Sequence, residues 1–324
     1  MIIVMKPSAT EENIKNVKNY IESLGLNTHL SQGKSITIIG IIGDKKKVPD
    51  TTRLFPGVDK LVHVTESYKL ANKKFRTEPT VIDAGGVKFS VDNFTVIAGP
   101  CAADSAEQLL QIAEEVKASG AKVLRCGVYT HDTCEILREV KSKTDIKLAA
   151  EVRRESLVKE AAEVCDILIV GSSNMENYGI LKECAETKKP IILYKGLAAT
   201  VDELLNSAEY IMSNGNEKVI LCCRGMRTYE TSTRYTLDLS AVPVIKSKSH
   251  LPVVIDPSHA AFVKECIKPL AKAAAAVGAD GLVIEVHPTP VNSSTNSSQA
   301  LDFEDFKSLM EAIKPIVQLE ERIF

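Results

Sequence analysis

Phe94-Thr95-Val96-Ile97-Ala98-Gly99-Pro100-Cys101 opens the part of the chain whose rhythm decides the fold. A short apolar run rich in Val and Ile ends on glycine and on residues able to do chemistry, and an amphipathic stretch, Ala106 to Ser119, follows it. The same pattern returns at Lys122 to Gly127, Ile146 to Val152, Ile167 to Ser172, Pro190 to Gly196, Val219 to Gly225, Val253 to Ser258 and Gly281 to His287. Helix-like segments lie between and after these runs, among them Asp202 to Met212, Ala260 to Val277 and Phe303 to Ile316. Runs of this kind read as buried parallel strands. Eight βα units in about 230 residues match the length of a (β/α)8 barrel. A doubly wound open sheet is the competing arrangement. Two features favour closure: the count reaches eight, and unusual polar residues recur at the carboxyl ends of the strands, where barrel enzymes build their sites. No Gly-x-Gly-x-x-Gly loop follows the first run, so nothing supports dinucleotide binding.

Upstream the pattern changes. Ile2 to Met5 reads as a strand, and Thr10 as the N-cap of a helix carrying Ile14, Val17, Ile21 and Leu24 and stopped by Gly25. Strands follow at Leu26 to Leu30, Ile36 to Ile42 and Val58 to Val64, with a turn at Ser31 to Lys34 and a segment broken by Pro49 and Pro56. This is a small ferredoxin-like α+β module. The predicted organisation is therefore a ferredoxin-like domain over residues 1–66, a linker and hairpin over 67–92 turning at Ala84-Gly85-Gly86, and the barrel over 93–324.

Composition bounds the function classes. The 324 residues carry 40 basic and 42 acidic side chains, a balance that leaves no basic face for nucleic acid. Lys45-Lys46-Lys47 reads as a solvated turn. No apolar run is long enough to span a bilayer, and the N-terminus turns polar too soon for a signal peptide, so a cytoplasmic protein without membrane partners is expected. The eight cysteines form no Cys-x-x-Cys pair and read as reduced thiols, and the Asn-Ser-Ser triplets at Asn292 and Asn296 read as accidents of composition. With no Trp and few aromatics, a stacking platform for bases is not expected.

In a closed barrel Cys101, Arg125, Glu151, Lys195, Arg224, Arg227, His259, Glu285 and His287 face one mouth. Cys101, His259 and Glu285 come from adjacent strands, and a thiolate, an imidazole and a carboxylate suit a borderline divalent ion such as Mn, Fe, Co or Zn. The alternative is a buried thiol, a helix cap and an ion-pair partner. Arg125, Lys195, Arg224 and Arg227 together suit a substrate bearing carboxylate or phosphate. Their alternative is pairing with Asp256, Glu151 or Glu230.

Ala98-Gly99-Pro100-Cys101, Lys122-Val123-Leu124-Arg125, Arg224-Gly225-Met226-Arg227-Thr228-Tyr229-Glu230, Ser249-His250-Leu251-Pro252, Asp256-Pro257-Ser258-His259 and Glu285-Val286-His287-Pro288, in this order, resemble 3-deoxy-D-arabino-heptulosonate 7-phosphate (DAHP) synthase. The match is to the short-barrel class with an N-terminal ferredoxin-like domain. The resemblance implies condensation of phosphoenolpyruvate with erythrose 4-phosphate, the first step of the shikimate pathway to the aromatic amino acids. It implies a divalent metal held by Cys101, His259 and Glu285 that polarises the aldehyde carbonyl, with a fourth ligand position falling at Asn296. It implies Arg125 on the substrate carboxylate, Arg227 on its phosphate, Lys195, Glu151 and Arg224 in the substrate site, an aromatic amino acid as effector of the N-terminal domain, and a homo-oligomer.

The chain also departs from the family pattern. Where the family has Lys-Pro-Arg-Thr-Ser it reads Thr130-His131-Asp132-Thr133-Cys134 and is shorter. Gly171-Ser172-Ser173 replaces Gly-Ala-Arg, and the family lysine of the fifth strand falls at Tyr194, with Lys195 one place later and so on the opposite face. Charged hydrogen bonds are worth ~1.5 to 3 kcal/mol each, so several lost phosphate contacts amount to orders of magnitude in affinity. A synthase with a different acceptor, or a silent paralogue that binds an aromatic effector or a sister enzyme, are the alternatives. Cys126, Cys134 and Cys223 stand where the family has Gly, Ser and Glu, and either join Cys101 in a softer metal or redox site or are isolated buried thiols.

Overall fold

A computed structural model describes all residues except 34–36, 45–46, 63–65 and 293–298. The turns expected at Ser31 to Lys34 and Lys45-Lys46-Lys47, the outer ends of the strands expected at Ile36 to Ile42 and Val58 to Val64, the Asn-Ser-Ser triplets and the fourth ligand position at Asn296 lie wholly or partly outside the described residues. Internal packing divides the chain into two compact units, Met1–Glu78 with Lys248–His250, and Pro79–Ser247 with Leu251–Phe324.

In the first unit, β1 (Ile2–Met5), α1 (Glu11–Ser23), β2 (Asn27–Gln32), β3 (Thr37–Ile42) and β4 (Val58–Val62) form an antiparallel sheet in the order β2-β3-β1-β4. That order and the helix on one face are ferredoxin-like. Thr10 caps α1 as the sequence predicts: its side chain accepts from the backbone N–H of Asn13, whose side chain in turn accepts from the N–H of Thr10. Ile14, Val17 and Ile21 then pack against Ile3, Met5, Ile39 and Ile41. Between Pro49 and Pro56 the second helix of the motif is reduced to a 3-10 turn, Asp50–Leu54.

The second unit begins with a hairpin of β5 (Ile82–Asp83) and β6 (Lys88–Phe89), turned at Gly85 and Gly86, both at positive φ. Eight parallel strands follow: β7 (Thr95–Gly99), β8 (Val123–Val128), β9 (Lys147–Glu151), β10 (Ile167–Val170), β11 (Ile191–Tyr194), β12 (Val219–Cys223), β13 (Val253–Ile255) and β14 (Gly281–Glu285). They close into a barrel in chain order, with β14 paired to β7. Around them run α2 (Ala106–Ala118), α3 (His131–Lys143), α4 (Val158–Val164), α5 (Tyr178–Glu186), α6 (Val201–Ser213), α7 (Ala241–Lys248), α8 (Ser258–Ala261), α9 (Lys264–Ala276) and α10 (Phe303–Leu319).

The barrel interior is filled by Ile97, Val123, Ala149, Ile167, Ile169, Ile192, Ile220, Val254 and Val283, and the hairpin residues Ile82, Ala84 and Phe89 belong to the same core. Side chains alternate across a strand. Counting two residues on from these interior positions therefore carries Arg125, Glu151, Tyr194, Cys222, Asp256 and Glu285 inward at the carboxyl ends. The helix predicted from Ala260 to Val277 is two helices, α8 and α9, separated at Phe262, which takes a left-handed conformation at φ 55°.

Candidate active site

Cys101 follows β7, His259 stands in α8 directly after β13, and Glu285 ends β14, so closure of the barrel brings all three to one place. The thiol Sγ of Cys101 lies 2.9 Å from His259 Nε2, and Glu285 Oε2 lies 3.2 Å from the same nitrogen. Their candidate ligand atoms all fall within 4.8 Å of one another. His259 is fixed from behind. Asp256 receives its backbone N–H at 2.9 Å and lies 2.9 and 3.0 Å from Nδ1 through its two carboxylate oxygens. Nδ1 therefore donates to Asp256, and Nε2 is left facing Cys101 and Glu285. Glu285 is oriented too, by Gln299 Nε2 donating to Oε2 at 2.8 Å, while Ser258 Oγ accepts its backbone N–H at 3.0 Å.

The charges are strongly coupled. Burial opposes charge on His259, yet Asp256 holds its pKa well above the ordinary imidazole value. Burial opposes charge on Asp256 and Glu285 as well, and the neighbouring His259 and Arg125 nevertheless hold both carboxyls below the usual range. Arg125 is 7% exposed; its Nη1 lies 3.4 Å from Cys101 Sγ and 3.1 Å from His259 Nε2, and its Nε has no hydrogen-bond partner. Arg224 reaches the carbonyl of His259 at 3.4 Å, and its buried Nε is also unpartnered. A thiol, an imidazole whose far nitrogen is tied to a carboxylate, and a buried carboxylate form a donor set that fits a divalent transition metal.

Comparison with known proteins identifies the family. The family model described as the DAHP synthetase I family matches residues 80–319, and one described as the DAHP synthase ferredoxin-like domain matches residues 1–66. The chain belongs to the DAHP synthetase I family. It is 42% identical to the phospho-2-dehydro-3-deoxyheptonate aldolase of Thermotoga maritima, over 98% of this chain and 97% of that one. A crystal structure of the Thermotoga maritima enzyme, there also called DAHP synthase, superposes with a TM-score of 0.78 at 41% identity, covering 100% of this chain and 98% of that one. The 2-dehydro-3-deoxyphosphooctonate aldolase of Geobacter sulfurreducens is 27% identical over 72% of this chain and 97% of its own length. The chain is thus an enzyme of the DAHP synthase type, a (β/α)8 barrel preceded by a ferredoxin-like domain.

Within this DAHP synthase-type barrel the predicted residues divide. Cys101, His259, Glu285, Arg125 and Arg224 are brought together. Glu151 points inward, but its partner is Arg153, at 2.9 Å. Lys195 is not brought to the cluster: one place beyond Tyr194 it alternates to the other face, and its Nζ reaches the carbonyl of Gly196 at 3.5 Å. Arg227 is exposed in the loop after β12, held there by its backbone N–H on the carbonyl of Leu197. His287 is buried and makes its contacts with other residues, Nδ1 accepting the backbone N–H of Thr289 and Nε2 lying 3.2 Å from Gln108 Nε2. Because Nδ1 accepts, Nε2 carries the proton, and the Gln108 amide is better turned with its oxygen toward the ring.

The soft-metal alternative is not supported by placement. Cys126, Cys134 and Cys223 are buried, and among the described residues Cys101, His259 and Glu285 form the only metal-capable group with converging atoms. Cys126 sits on the opposite face from Arg125 and donates to the carbonyl of Leu124 at 3.4 Å. Burial pushes the Cys223 thiol up to about 12, which keeps it protonated. Three contributors were not read from the sequence. Tyr194 donates to Asp256, Gln299 holds Glu285, and Phe262 sets its ring edge-to-face on His259 at 6.1 Å beneath the guanidinium of Arg234, 4.3 Å from the ring centre.

Proposed function

We propose that the enzyme condenses phosphoenolpyruvate with erythrose 4-phosphate, releasing phosphate, as the first step of the shikimate pathway in the cytoplasm. The observation that carries this is Arg125: a buried guanidinium beside the candidate metal centre, in the field of Asp256 and Glu285, whose Nε has no hydrogen-bond partner. A buried donor left unpaired calls for an acceptor, and the carboxylate of a ligand matches the guanidinium fork. On this reading Cys101, His259 and Glu285 hold a divalent ion, which when bound polarises the acceptor carbonyl as a Lewis acid. Arg125 takes the carboxylate of phosphoenolpyruvate and orients its enol carbon toward that carbonyl. Arg224, and Arg227 once its loop is drawn in, supply charge to the transferred phosphate. Glu285 and Cys101 contribute anionic donors, and Asp256, by accepting from Nδ1 of His259, turns Nε2 toward the place the ion would take from the Nε2 proton.

A second acceptor class is favoured by two particular positions. Tyr194, which is neutral, fills the interior position where the family pattern has lysine, and Ser173 lines a cleft of about 500 Å³ with Asn174, Asn177 and Glu203. Those positions suit an aldehyde with less phosphate. The N-terminal domain, on the same reading, binds an aromatic amino acid as effector, and the enzyme works as a homo-oligomer.

The test is phosphate release by metal-reconstituted protein supplied with phosphoenolpyruvate and erythrose 4-phosphate, alongside Cys101→Ala. Release that depends on Cys101 supports the reading. Silence with erythrose 4-phosphate but turnover with an unphosphorylated aldehyde transfers it to the second acceptor class, and silence with both overturns it.

A further inference from the structure

Tyr194 ends β11 inside the barrel and is 4% exposed. Across β12, where it pairs with Cys222, lies Asp256 at the end of β13, with no exposure at all. The phenol oxygen of Tyr194 is 3.1 Å from Asp256 Oδ2. An ionised carboxylate can only accept, so the hydroxyl donates. The same Oδ2 lies 2.9 Å from Nδ1 of His259, and Oδ1 accepts the backbone N–H of His259. Asp256 is thus gripped from one side by His259 and from the other by Tyr194. Without the phenol, the carboxylate loses the only hydrogen-bond partner among the described residues that is independent of His259, and its plane is free to turn with the ring it is meant to orient.

We infer that Tyr194 is a positioning residue of the metal centre: by donating to Asp256 it fixes the carboxylate that fixes His259, so that Nε2 faces Cys101 Sγ and Glu285 Oε2 as a ligand. The inference rests on the reading of Cys101, His259 and Glu285 as metal ligands. It also gives a reason for an aromatic hydroxyl at a position where a cation would crowd the guanidinium groups of Arg125 and Arg224. Residues behind a ligating histidine commonly change metal affinity 10- to 100-fold when removed.

The experiment titrates metal-free protein with Co2+ alone, following the thiolate-to-cobalt charge-transfer absorption, for wild type, Tyr194→Phe and Cys101→Ala. Cys101→Ala should lose the band. If it keeps the wild-type band, the ligand reading itself is wrong, whatever Tyr194 does. With that control as expected, Tyr194→Phe should bind Co2+ at least about 10-fold more weakly while its thermal midpoint without metal stays near that of wild type. Wild-type affinity within twofold and an unchanged band would overturn the inference. Should Tyr194→Phe fail to fold, 3-fluorotyrosine at position 194 keeps the shape and strengthens the donor; a shifted band supports the inference and an unshifted one defeats it.

Discussion

At the scale of single residues, Gly127 shows how tightly the backbone is drawn around the site. It stands at φ +74° in β8, and a Cβ built there would run into the carbonyl oxygen of Cys101, with 2.7 Å to its carbonyl carbon and 2.9 Å to Cα of Ala102. Gly127→Ala therefore combines left-handed strain with a collision against backbone that cannot rotate away. The expected cost is roughly 2 to 4 kcal/mol of stability, read by urea denaturation, together with weaker Co2+ binding because Cys101 must move. A variant of wild-type stability and metal affinity would show that this backbone yields more than its packing implies. The candidate cluster itself was legible in the sequence, because a thiol, an imidazole and a carboxylate at three strand ends converge once a barrel is assumed. Tyr194 was not. Its partner is two strands and 62 residues away, and such a pairing leaves no local pattern; the alternation of side chains told only that Lys195 would face the other way.

Among the elements, the strands were the most readable, since strands buried on both faces appear as nearly unbroken apolar runs. Helix α1 was equally plain, with a capping threonine, a glycine stop and a three-to-four-residue apolar spacing. The break between α8 and α9 was hidden because the residue in the left-handed conformation is Phe262 and not glycine, so the usual sign of a helix end is missing. Its ring contacts with His259 and Arg234 show what holds it there. The hairpin β5–β6 was expected as a connector, and the structure gives it a packing role. Phe89 is fully buried in the barrel core with Ile82 and Ala84. Phe89→Ala is expected to cost about 3 to 5 kcal/mol in chemical denaturation. Cobalt affinity should stay near that of wild type, because the hairpin precedes the amino ends of the strands and the candidate ligands Cys101, His259 and Glu285 lie at their carboxyl ends.

For the whole molecule, the order of a ferredoxin-like module followed by eight βα units was legible, but one long-range feature was not. Lys248–His250 belong with residues 1–78, although the residues on either side pack with the barrel. Nothing local marks this; it is fixed by tertiary contacts, among them the bridge of Ser249 with Asn72 and the hydrogen bond from His250 Nε2 to the carbonyl of Leu70 at 2.7 Å. The arrangement has a consequence for pH. Burial lowers the pKa of His250 from 6.5 to about 4, the hydrogen bond to Leu70 opposing and Arg76 adding to the shift. In the unfolded chain His250 takes up a proton as pH falls below 6.5, whereas the folded protein resists until about 4. The contribution of neutral His250 is therefore full above pH 6.5 and is lost progressively as pH falls toward 4, to a total of roughly 3 kcal/mol at 1.36 kcal/mol per pKa unit. Gln places an N–H donor near the position of Nε2 and does not titrate. Unfolding free energies of wild type and His250→Gln, measured from pH 7.5 to 4, should converge as pH falls, wild type losing stability faster by up to about 3 kcal/mol. Parallel curves would mean that His250 can be protonated in the folded state at its ordinary pKa, and that the buried contact with Leu70 gives way before the fold does.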